Sequence, residues 1–295
     1  MKKASLVNLL NWTRFGFRRA GRKTRRLVTL DGLPPFLFET HGHSDIYISY
    51  SIISGGVWEQ TTTRLLLELL GNDADLVDVG ANIGWHSVVA GHRLGDRGRV
   101  HSFEPEPRNL AKLRTNVALS SLGNVVVNGW ALSDGSRADM LSLSQDNLGD
   151  HRLGGRRAGR DAVSVAVRRL DDYAGIRSRP LVVKLDVQGS EWHVLRGARK
   201  LLASHPHEIV LLCEISPMML RECGASVDGL CGLLVEGGFL AAVIDQRTGS
   251  IEPVEWVRLR ERLAARERDE PDCSEDIVAF RRRDGLMGSL LTRAP

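Results

Sequence analysis

Apolar runs of strand length alternate with amphipathic stretches of helical length along most of the chain. Leu76 to Val79, Val100 to Phe103 and Ile209 to Ile215 are typical of buried strands, and apolar residues at helical spacing lie between such runs. Strands that alternate with helices favour right-handed crossovers, a mostly parallel sheet and helices on both of its faces. The pattern therefore predicts a doubly wound α/β fold.

The same pattern predicts the individual elements. It predicts strands at residues 76–79, 100–103, 125–127, 140–143, 163–167, 181–187, 209–215, 239–244 and 277–280. It predicts helices at residues 58–70, 84–93, 107–119, 191–202, 227–235 and 255–269. Residues 36–53 are expected to form one or two strands ahead of the main fold, and the Gly- and Arg-rich residues 149–160 are expected to form a mobile loop.

Basic residues are concentrated at the N-terminus. Residues 1–30 contain nine Lys and Arg and no Asp or Glu, so this segment is +9 within a chain of +4. The remaining residues therefore carry about −5, and a mildly acidic body argues against a general nucleic-acid binder. We predict that residues 1–30 form a solvated arm, with peripheral contact to an anionic membrane surface as the alternative.

Composition places the chain among globular proteins. Hydrophobic residues make up 42% and charged residues 26%, and no run approaches the roughly 20 apolar residues of a membrane-spanning helix. Transmembrane proteins, collagens and wholly disordered chains are excluded. The four cysteines lack a C-x-x-C pair, and Leu6 to Trp12 is too short and interrupted for a signal peptide. We therefore predict a cytoplasmic protein, with peripheral contact to the inner membrane face as the alternative location.

A glycine-containing turn follows the first strand of the alternating pattern. Residues 77–84 read Val-Asp-Val-Gly-Ala-Asn-Ile-Gly, a strand that enters a turn and opens a helix. In doubly wound sheets, ligands bind at the carboxyl ends of such strands. Glu104 follows the next strand, 20 residues after Gly84, which is the spacing at which a carboxylate accepts hydrogen bonds from ribose hydroxyls. The arrangement predicts a nucleoside ligand.

The side chains in this turn indicate which nucleoside is bound. A dinucleotide-binding turn needs glycine where the backbone meets the pyrophosphate, but the corresponding positions are Asn82 and Trp85. NAD and FAD are therefore disfavoured. A ligand without phosphates fits better, because its amino-acid tail could meet backbone N–H groups and a carboxylate such as Asp78. S-adenosylmethionine is such a ligand.

Five motifs occur in the order of one protein family. They are Asp78 to Gly84, Phe103-Glu104-Pro105, Ala131 to Asp134, Leu170-Asp171-Asp172, and Lys184 to Glu191. Together they resemble the FkbM family of S-adenosylmethionine-dependent methyltransferases over roughly residues 57–245. The resemblance implies a class I methyltransferase fold, with a seven-stranded, mostly parallel sheet and an antiparallel last strand. It also implies O-methylation of a hydroxyl on a sugar, glycolipid or polyketide. Gln188 departs from the family, which commonly has Glu there.

The resemblance divides the chain into four parts. They are a basic arm (1–30), N-terminal strands and a helix (31–72), the methyltransferase domain (73–285) and a C-terminal tail (286–295). The acceptor is expected to be a small molecule with a hydroxyl group, a lipid-linked sugar being one form of it. Acceptor contacts are expected from the variable segments 36–58 and 144–162. The oligomeric state is left open.

The resemblance also implies a cofactor site. The predicted cofactor-binding residues are Asp78, Gly80, Ala81, Asn82, Gly84, Glu104, Pro105, Ser133 and Asp134. Asp78 and the glycine turn would hold the methionine part of S-adenosylmethionine, Glu104 the ribose hydroxyls, and Asp134 the adenine edge. Each acid also has a simpler interpretation. Asp78 could be the partner of a helix N-terminus, Glu104 a surface acid, and Asp134 a turn-forming residue.

Carboxylates near the end of the fourth strand are candidates for the acceptor's base. An alcohol needs a general base as its oxygen attacks, and Asp186 lies on the same side of the strand as Lys184, whose ammonium would keep it ionised. Glu191, in the first turn of the next helix, and Glu214, at the end of the fifth strand, complete the predicted catalytic group. Either glutamate could instead be a helix-dipole partner or a solvent-facing strand end.

Other side chains are weaker candidates. His86 and His193 lie in predicted helices, where lone histidines more often pack than catalyse. His205 and His207 lack a third ligand at metal spacing, so no zinc site is predicted. Magnesium at the carboxylates of the acceptor site is an alternative that the sequence does not favour.

Two functions of other kinds stay open. One is a non-catalytic module that keeps the cofactor fold and docks through its basic arm. The other is a nucleic-acid methyltransferase. The intact glycine turn and its carboxylates argue against the first, and the acidic body argues against the second.

Overall fold

The structure is a computed structural model that describes residues 24–42, 45, 47–71, 73–144, 147–155 and 159–281. The first strands are β1 Arg25–Val28, β2 Phe36–Glu39, β3 Asp75–Val79, β4 Val100–Phe103, β5 Val125–Asn128, β6 Ala131–Leu132 and β7 Arg137–Ser142. The later strands are β8 Arg152–Leu153, β9 Ala162–Arg168, β10 Leu181–Leu185, β11 Ile209–Ile215, β12 Leu240–Ile244, β13 Ile251–Val254 and β14 Glu275–Phe280.

The helices lie mostly between the strands of the main sheet. They are α1 Ile48–Gly55, α2 Gln60–Leu69, α3 Trp85–Leu94, α4 Pro107–Leu119, α5 Glu191–Gly197, α6 Arg199–Ser204, α7 Pro217–Glu222, α8 Val227–Glu236 and α9 Trp256–Asp269. Two short 3₁₀ helices cover Gly95–Arg97 and Leu170–Asp172. Among the helices of the described residues, none combines the length and the apolar character that a bilayer crossing requires.

The main sheet has eight strands in the order β13-β12-β14-β11-β10-β3-β4-β5. The central run from β11 to β5 is parallel, and β14 lies antiparallel between β11 and β12. This arrangement confirms the predicted class I methyltransferase fold and its antiparallel last strand. The predicted number of seven strands is one too few, because β13 pairs with β12 and adds an edge strand that the pattern did not indicate.

The N-terminal region differs from its prediction. The arm was expected to extend to residue 30, but β1 pairs with β2 and buries Val28. Residues 36–53 were expected to form one or two short strands; one strand, β2, is present, but residues 48–53 belong to the helix α1. The carboxylate of Asp45 accepts hydrogen bonds from the backbone N–H groups of Tyr47 and Ser49, which turns the chain into this helix. Residues 1–23 of the predicted arm and the whole predicted tail, 286–295, lie outside the described residues.

Two further predictions need correction. The expected loop 149–160 contains β8, which pairs with β7 in a four-stranded sheet of order β6-β9-β7-β8; residues 156–158 lie outside the described residues. The expected helix 191–202 is two helices that meet at Ala198. The short helix α7 was not predicted.

Burial explains where the ligand-binding edge lies. The strands β3 and β10 are buried along their whole length, and apolar clusters cover the sheet on both faces. Because β3, β4, β10 and β11 are parallel, their carboxyl ends lie at the same edge of the sheet. Ligands bind at this edge in doubly wound sheets.

Candidate active site

A cavity of about 350 Å³ opens at this edge of the sheet. The predicted residues that line it are Gly80, Ala81, Asn82, Glu104, Pro105, Lys184, Asp186 and Glu214. The cavity is in the size range of a small-molecule site. Asp78, Gly84, Ser133, Asp134 and Glu191 do not line it.

The glycine turn after β3 needs glycine at two positions. Gly80 has a φ of 79°, and a Cβ added there would lie 2.0 Å from the backbone oxygen of Asp186. Gly84 has a φ of 88°, and its added Cβ would lie 2.3 Å from Leu113 Cδ1. The positive φ values are those that glycine tolerates best. The turn can therefore pass close to β10 and α4 because it carries no side chains at these points.

Asn82 fixes the turn to its surroundings. Its backbone N–H donates to Glu104 Oε2 at 2.8 Å, and its Nδ2 donates to the carbonyl of Leu148 at 2.8 Å. Its φ of 51° is left-handed, a conformation that asparagine adopts more readily than most residues. The turn, the end of β4 and the segment over the cavity are joined through this one residue.

Asp78 lies beneath the turn rather than in the cavity wall. It is buried, and its Oδ2 accepts a hydrogen bond from Ser87 Oγ at 2.6 Å. Its Oδ1 is buried and has no hydrogen-bond partner among the described residues. Burial raises the pKa of Asp78, although the Lys184 ammonium lowers it. An unpartnered buried carboxylate oxygen is costly, so this atom marks a place where a donor is missing.

Glu104 is a buried carboxylate held by backbone groups. Its Oε1 accepts from the N–H of Glu106 at 2.8 Å, and its Oε2 accepts from Asn82. Burial raises the pKa of Glu104 to about 8, although these hydrogen bonds act in the opposite direction. The carboxylate is fixed in position, and each of its oxygens retains a lone pair for a ligand.

Lys184 and Asp186 form an ion pair in the wall of the cavity. Lys184 Nζ lies 3.1 Å from Asp186 Oδ2, and Gln188 Nε2 donates to Asp186 Oδ1 at 2.7 Å. Lys184 is buried, whereas 29% of the Asp186 side chain is exposed. Burial alone would lower the pKa of Lys184, but nearby carboxylates, Asp186 first among them, more than offset this effect and raise it.

Glu59 was missed by the sequence analysis. It precedes α2 with a left-handed φ of 43°, and its side chain makes no hydrogen bond to the helix it caps. Its carboxylate lines the cavity with Asp186 and Glu214, and its Oε2 lies 3.6 Å from His86 Nε2. We call Glu59, Asp186 and Glu214 around Lys184 the carboxylate cluster. The predicted helix 58–70 contained the residue, but nothing in the helix pattern indicated that its side chain would turn towards β10.

Burial shifts the protonation of the groups around Glu59. It raises the pKa of Glu59, partly against the opposing effect of Lys184, and the like charge of Asp186 raises it further. The pKa of His86 falls well below its ordinary value because the ring is buried and faces the Lys184 ammonium. His86 is therefore a neutral neighbour of the cluster at physiological pH.

Three predicted residues have other partners. The Asp134 carboxylate lies 3.2 Å from His193 Nδ1 and 3.3 Å from Arg196, outside the cavity lining. The Ser133 carbonyl packs on Gly197, where an added Cβ would lie 1.9 Å from that oxygen. Glu191 Oε1 accepts from the N–H groups of Val187 and Gly189, and so stabilises the turn between β10 and α5.

A segment between β7 and β9 covers the cavity. We call residues 147–153 the roof segment; Asn147, Leu148, Gly149, His151 and Leu153 of it line the cavity. The carbonyl of Leu148 accepts from Asn82 and also from Asn109 Nδ2 at 3.1 Å. This segment lies within residues 144–162, which the sequence analysis expected to contact the acceptor. Tyr47, Ile48 and Trp58, from the expected segment 36–58, also line the cavity.

Comparison with protein families bears on this arrangement. Residues 78–240, more than half of the chain, match the family described as "Methyltransferase FkbM domain". The chain belongs to the FkbM methyltransferase family. The identification made from the five motifs is confirmed, and with it the expectation of a methyltransferase with the S-adenosylmethionine-binding fold.

Individual relatives and solved structures are similar to the chain at low sequence identity. A hexuronic acid methyltransferase, AglP of Haloferax volcanii, is 28% identical over 182 residues, which are 58% of this chain and 71% of that protein. The crystal structure of methyltransferase FkbM from Methylobacillus flagellatus gives a TM-score of 0.42 at 17% identity. That alignment covers 70% of this chain and 43% of the solved one. TYW2 of M. jannaschii, solved in complex with AdoMet, gives a TM-score of 0.39 at 12% identity over 89% of this chain and 88% of that one.

The residues of this FkbM methyltransferase fit a cofactor with a ribose and an amino-acid end. The unpartnered Asp78 Oδ1 marks a missing donor, Gly80 lets the turn pass against the Asp186 backbone at the cavity wall, and Glu104 presents fixed acceptor oxygens to the cavity. As for metals, the described residues contain no group of three or more His, Cys, Asp or Glu side chains placed to hold an ion.

Proposed function

We propose that this FkbM methyltransferase transfers the methyl group of S-adenosylmethionine to a hydroxyl of a sugar-type small molecule. The observation that carries the proposal is the Asp186 carboxylate. Lys184 and Gln188 hold this carboxylate, and it is partly exposed. The Asp186 backbone packs directly against Gly80, so the carboxylate lies next to the glycine turn. A fixed carboxylate beside a cofactor cavity is what deprotonation of an alcohol requires.

The cofactor would lie along the glycine turn. We propose that Glu104 accepts hydrogen bonds from its ribose hydroxyls, and that Asp78 and the backbone from Gly80 to Asn82 hold its amino-acid end. Bound S-adenosylmethionine supplies an electrophilic methyl group. Asp134, expected at the adenine edge, and Ser133, expected among the cofactor-binding residues, lie outside the cavity lining and are weaker candidates for contact with the cofactor.

The protein's own residues would prepare the acceptor. Asp186 would accept the hydroxyl proton on a carboxylate oxygen, since each oxygen keeps a lone pair beside its existing partner. Lys184, buried against Asp186, would stabilise the carboxylate before transfer and hold its orientation. Glu214 would receive other hydroxyls of the acceptor, while Glu191 would keep the loop after β10 in place. The roof segment would exclude water from the reacting atoms.

A sugar-type acceptor is supported by the hexuronic acid methyltransferase among the relatives and by the carboxylate and amide side chains in the cavity lining. The lipid-linked form of the acceptor, membrane contact through residues 1–30, the cytoplasmic location and the domain limits stay predictions. No observation on the described residues favours a non-catalytic module or a nucleic-acid methyltransferase.

Two measurements test the proposal in sequence. Calorimetry with S-adenosylmethionine and S-adenosylhomocysteine comes first, and a folded protein that binds neither contradicts the cofactor site. Incubation with methyl-labelled S-adenosylmethionine and a panel of defined saccharides comes second, with products analysed by mass spectrometry for one added methyl group on oxygen. Cofactor binding combined with label only in protein, nucleic acid or nitrogen-linked products contradicts the acceptor class.

A further inference from the structure

Trp58 differs from the other tryptophans in the described part of the chain. It lies between α1 and α2, is half-buried, and lines the main cavity. The others each have a ring contact with an aromatic or cationic side chain or a hydrogen bond from the indole N–H; they are Trp85, Trp130, Trp192 and Trp256. Among the described residues, Trp58 has neither kind of partner. Since an indole N–H usually finds a partner when it is buried, this ring is open to a ligand.

Tyr47 is a second aromatic residue of this kind in the cavity lining. It directly precedes α1, and 37% of its surface is exposed. Its backbone is fixed, because its N–H donates to Asp45 Oδ1 at 3.2 Å and the next residue, Ile48, lies against Gly149 of the roof segment. Its ring and hydroxyl have no partner among the described residues. Exposed rings in the wall of a cavity are typical ligand contacts.

The rings share the cavity with hydrogen-bonding groups. The carbonyl of Trp58 accepts from Thr63 Oγ1 at 2.8 Å, which ties this residue to α2. The next residue, Glu59, belongs to the carboxylate cluster, and the amide side chains of Gln188 and Asn147 also line the cavity. The lining therefore combines aromatic rings with groups that can bind hydroxyls.

A pyranose ring has the matching chemistry. Its hydroxyl groups lie around the edge of the ring, whereas its C–H bonds form apolar patches on the two faces. Such C–H groups can pack on the negative face of an aromatic ring, while the hydroxyls bond to carboxylates and amides. An open-chain polyol offers the same hydroxyls but has no rigid apolar face.

We propose that Tyr47 and Trp58 form an aromatic subsite that binds the C–H face of the acceptor's sugar ring. This inference rests on the proposed methyl transfer to a sugar-type hydroxyl, and it names the residues that hold the ring. Both residues lie outside residues 78–240, so the segment ahead of the family domain supplies this subsite. The carboxylate cluster then binds the hydroxyls at the edge of the ring.

Saccharide binding tests the subsite without turnover. The methyl glycosides of glucose, galactose and mannose, and open-chain glucitol, are titrated by NMR into protein saturated with S-adenosylhomocysteine. We expect at least one glycoside to bind at least about fivefold more tightly than glucitol, with saturation transferred from the protein mainly to the ring C–H protons. Absence of glycoside binding, or equal affinity for glucitol, overturns the proposal.

Substitutions separate the aromatic face from apolar bulk. Trp58→Leu and Tyr47→Leu should each weaken glycoside binding about three- to tenfold, whereas Trp58→Phe and Tyr47→Phe should stay within about twofold of wild type. Tyr50→Leu is the control, because Tyr50 also lies on α1 but does not line the cavity. If Trp58→Leu does not fold, the two Tyr47 variants decide. Leucine variants that bind glycosides as wild type does, or that lose affinity for S-adenosylhomocysteine instead, overturn the subsite.

Turnover distinguishes this inference from the proposed function. For a glycoside that wild type methylates, the leucine variants should raise KM and change kcat far less, because the rings contact a part of the acceptor that does not react. Glycoside binding that depends on both rings, without methyl transfer, contradicts the proposed function and supports the aromatic subsite. Methylation with an unchanged KM in both leucine variants overturns the subsite and supports the proposed function.

Discussion

The two sides of the cavity are built in different ways. The side formed by residues 80–83 and Glu104 is made mainly of backbone, and its carboxylate is fixed by N–H groups, while Asp78 lies beneath it and is held by the buried Ser87 hydroxyl. The side formed by the carboxylate cluster is made of side chains that come from the starts or ends of α2, β10 and β11. The first is a local structure that one stretch of sequence specifies, while the second exists only after distant segments have packed together.

This difference predicts which side of the cavity tolerates amino-acid substitution without loss of the fold. Backbone geometry leaves almost no freedom at the glycine turn, because a single added carbon meets another main-chain atom. Side chains in the cluster can be exchanged for isosteres without disturbing the fold, so their chemistry can be tested separately from their packing. The following variants test this contrast, beginning with the largest expected effect.

Gly80→Ala should damage the protein most. The new Cβ would lie 2.0 Å from the Asp186 oxygen in a left-handed backbone, whose strain alone costs about 1–3 kcal/mol. We expect S-adenosylhomocysteine affinity, measured by calorimetry, to fall at least about 100-fold. Gly232→Ala is the control, because an added Cβ there meets no atom within 4 Å and lies in a helix. Near-normal affinity in Gly80→Ala would contradict the backbone-built site.

Asp186→Asn should remove turnover and leave the cofactor side intact. The amide keeps the size of the side chain but accepts a proton poorly, so kcat should fall by about 100-fold or more. S-adenosylhomocysteine affinity should stay at the wild-type level. Asp228→Asn, at an exposed ion pair with Arg260, is a matched control for the charge change. Turnover that survives in Asp186→Asn would remove Asp186 as the base.

Above about pH 8, where the Glu104 carboxyl group is ionised, Glu104→Gln should weaken cofactor binding by about 10- to 100-fold, because hydrogen bonds to a charged acceptor contribute roughly 1.5–3 kcal/mol. At saturating S-adenosylmethionine, kcat should change far less than the affinity. Normal cofactor affinity with a large loss of kcat would instead indicate that Glu104 acts on the acceptor and does not bind the cofactor.

The pH dependence of binding sharpens the same test. Burial raises the pKa of Glu104 to about 8, so below this pH the carboxyl group holds a proton that must leave before both oxygens can accept ribose hydroxyls. Wild-type affinity for S-adenosylhomocysteine should therefore rise between about pH 7 and 9. Glu104→Gln should lose this rise, and a flat wild-type profile contradicts the role of the ionised form.

Glu191→Gln should have the smallest effect on activity and a measurable effect on stability. Burial raises the pKa of Glu191 from 4.5 to about 7. A raised folded-state pKa gives stability that is complete below pH 4.5 and is lost as pH rises through about 7. The amide oxygen can still accept from Val187 and Gly189, so the variant should gain about 1–3 kcal/mol over wild type between pH 5 and 8. Thermal unfolding at several pH values measures this gain, and lost turnover would instead make Glu191 catalytic.

The sequence carried enough to predict the fold and the position of the glycine turn. Alternating runs gave the parallel strands because buried strands are nearly all apolar, and Gly80 and Gly84 could be read as turn positions because few other residues tolerate their backbone. The match over residues 78–240 confirms the family. The edge strand β13 was missed because Ile251–Val254 is half exposed and shows no apolar run.

The acceptor side was less predictable for a physical reason. Glu59 is indistinguishable from an ordinary helix-start glutamate until its φ is known. Glu191 follows the strand that bears Asp186, yet the turn from Val187 to Gly189 captures its carboxylate with two N–H groups. Spacing along the chain predicts which residues are close, but the direction of a side chain depends on which unsatisfied backbone groups surround it.

Asn82 links the floor of the cavity to its cover. Glycine at this position would accept the left-handed backbone but lose the hydrogen bond to the Leu148 carbonyl, which would keep only that from Asn109. Aspartate would accept the backbone but place a second acceptor against that carbonyl. Asparagine meets both demands, which leaves the position close to irreplaceable. A substitution there would separate the glycine turn from the roof segment without altering any atom that reacts.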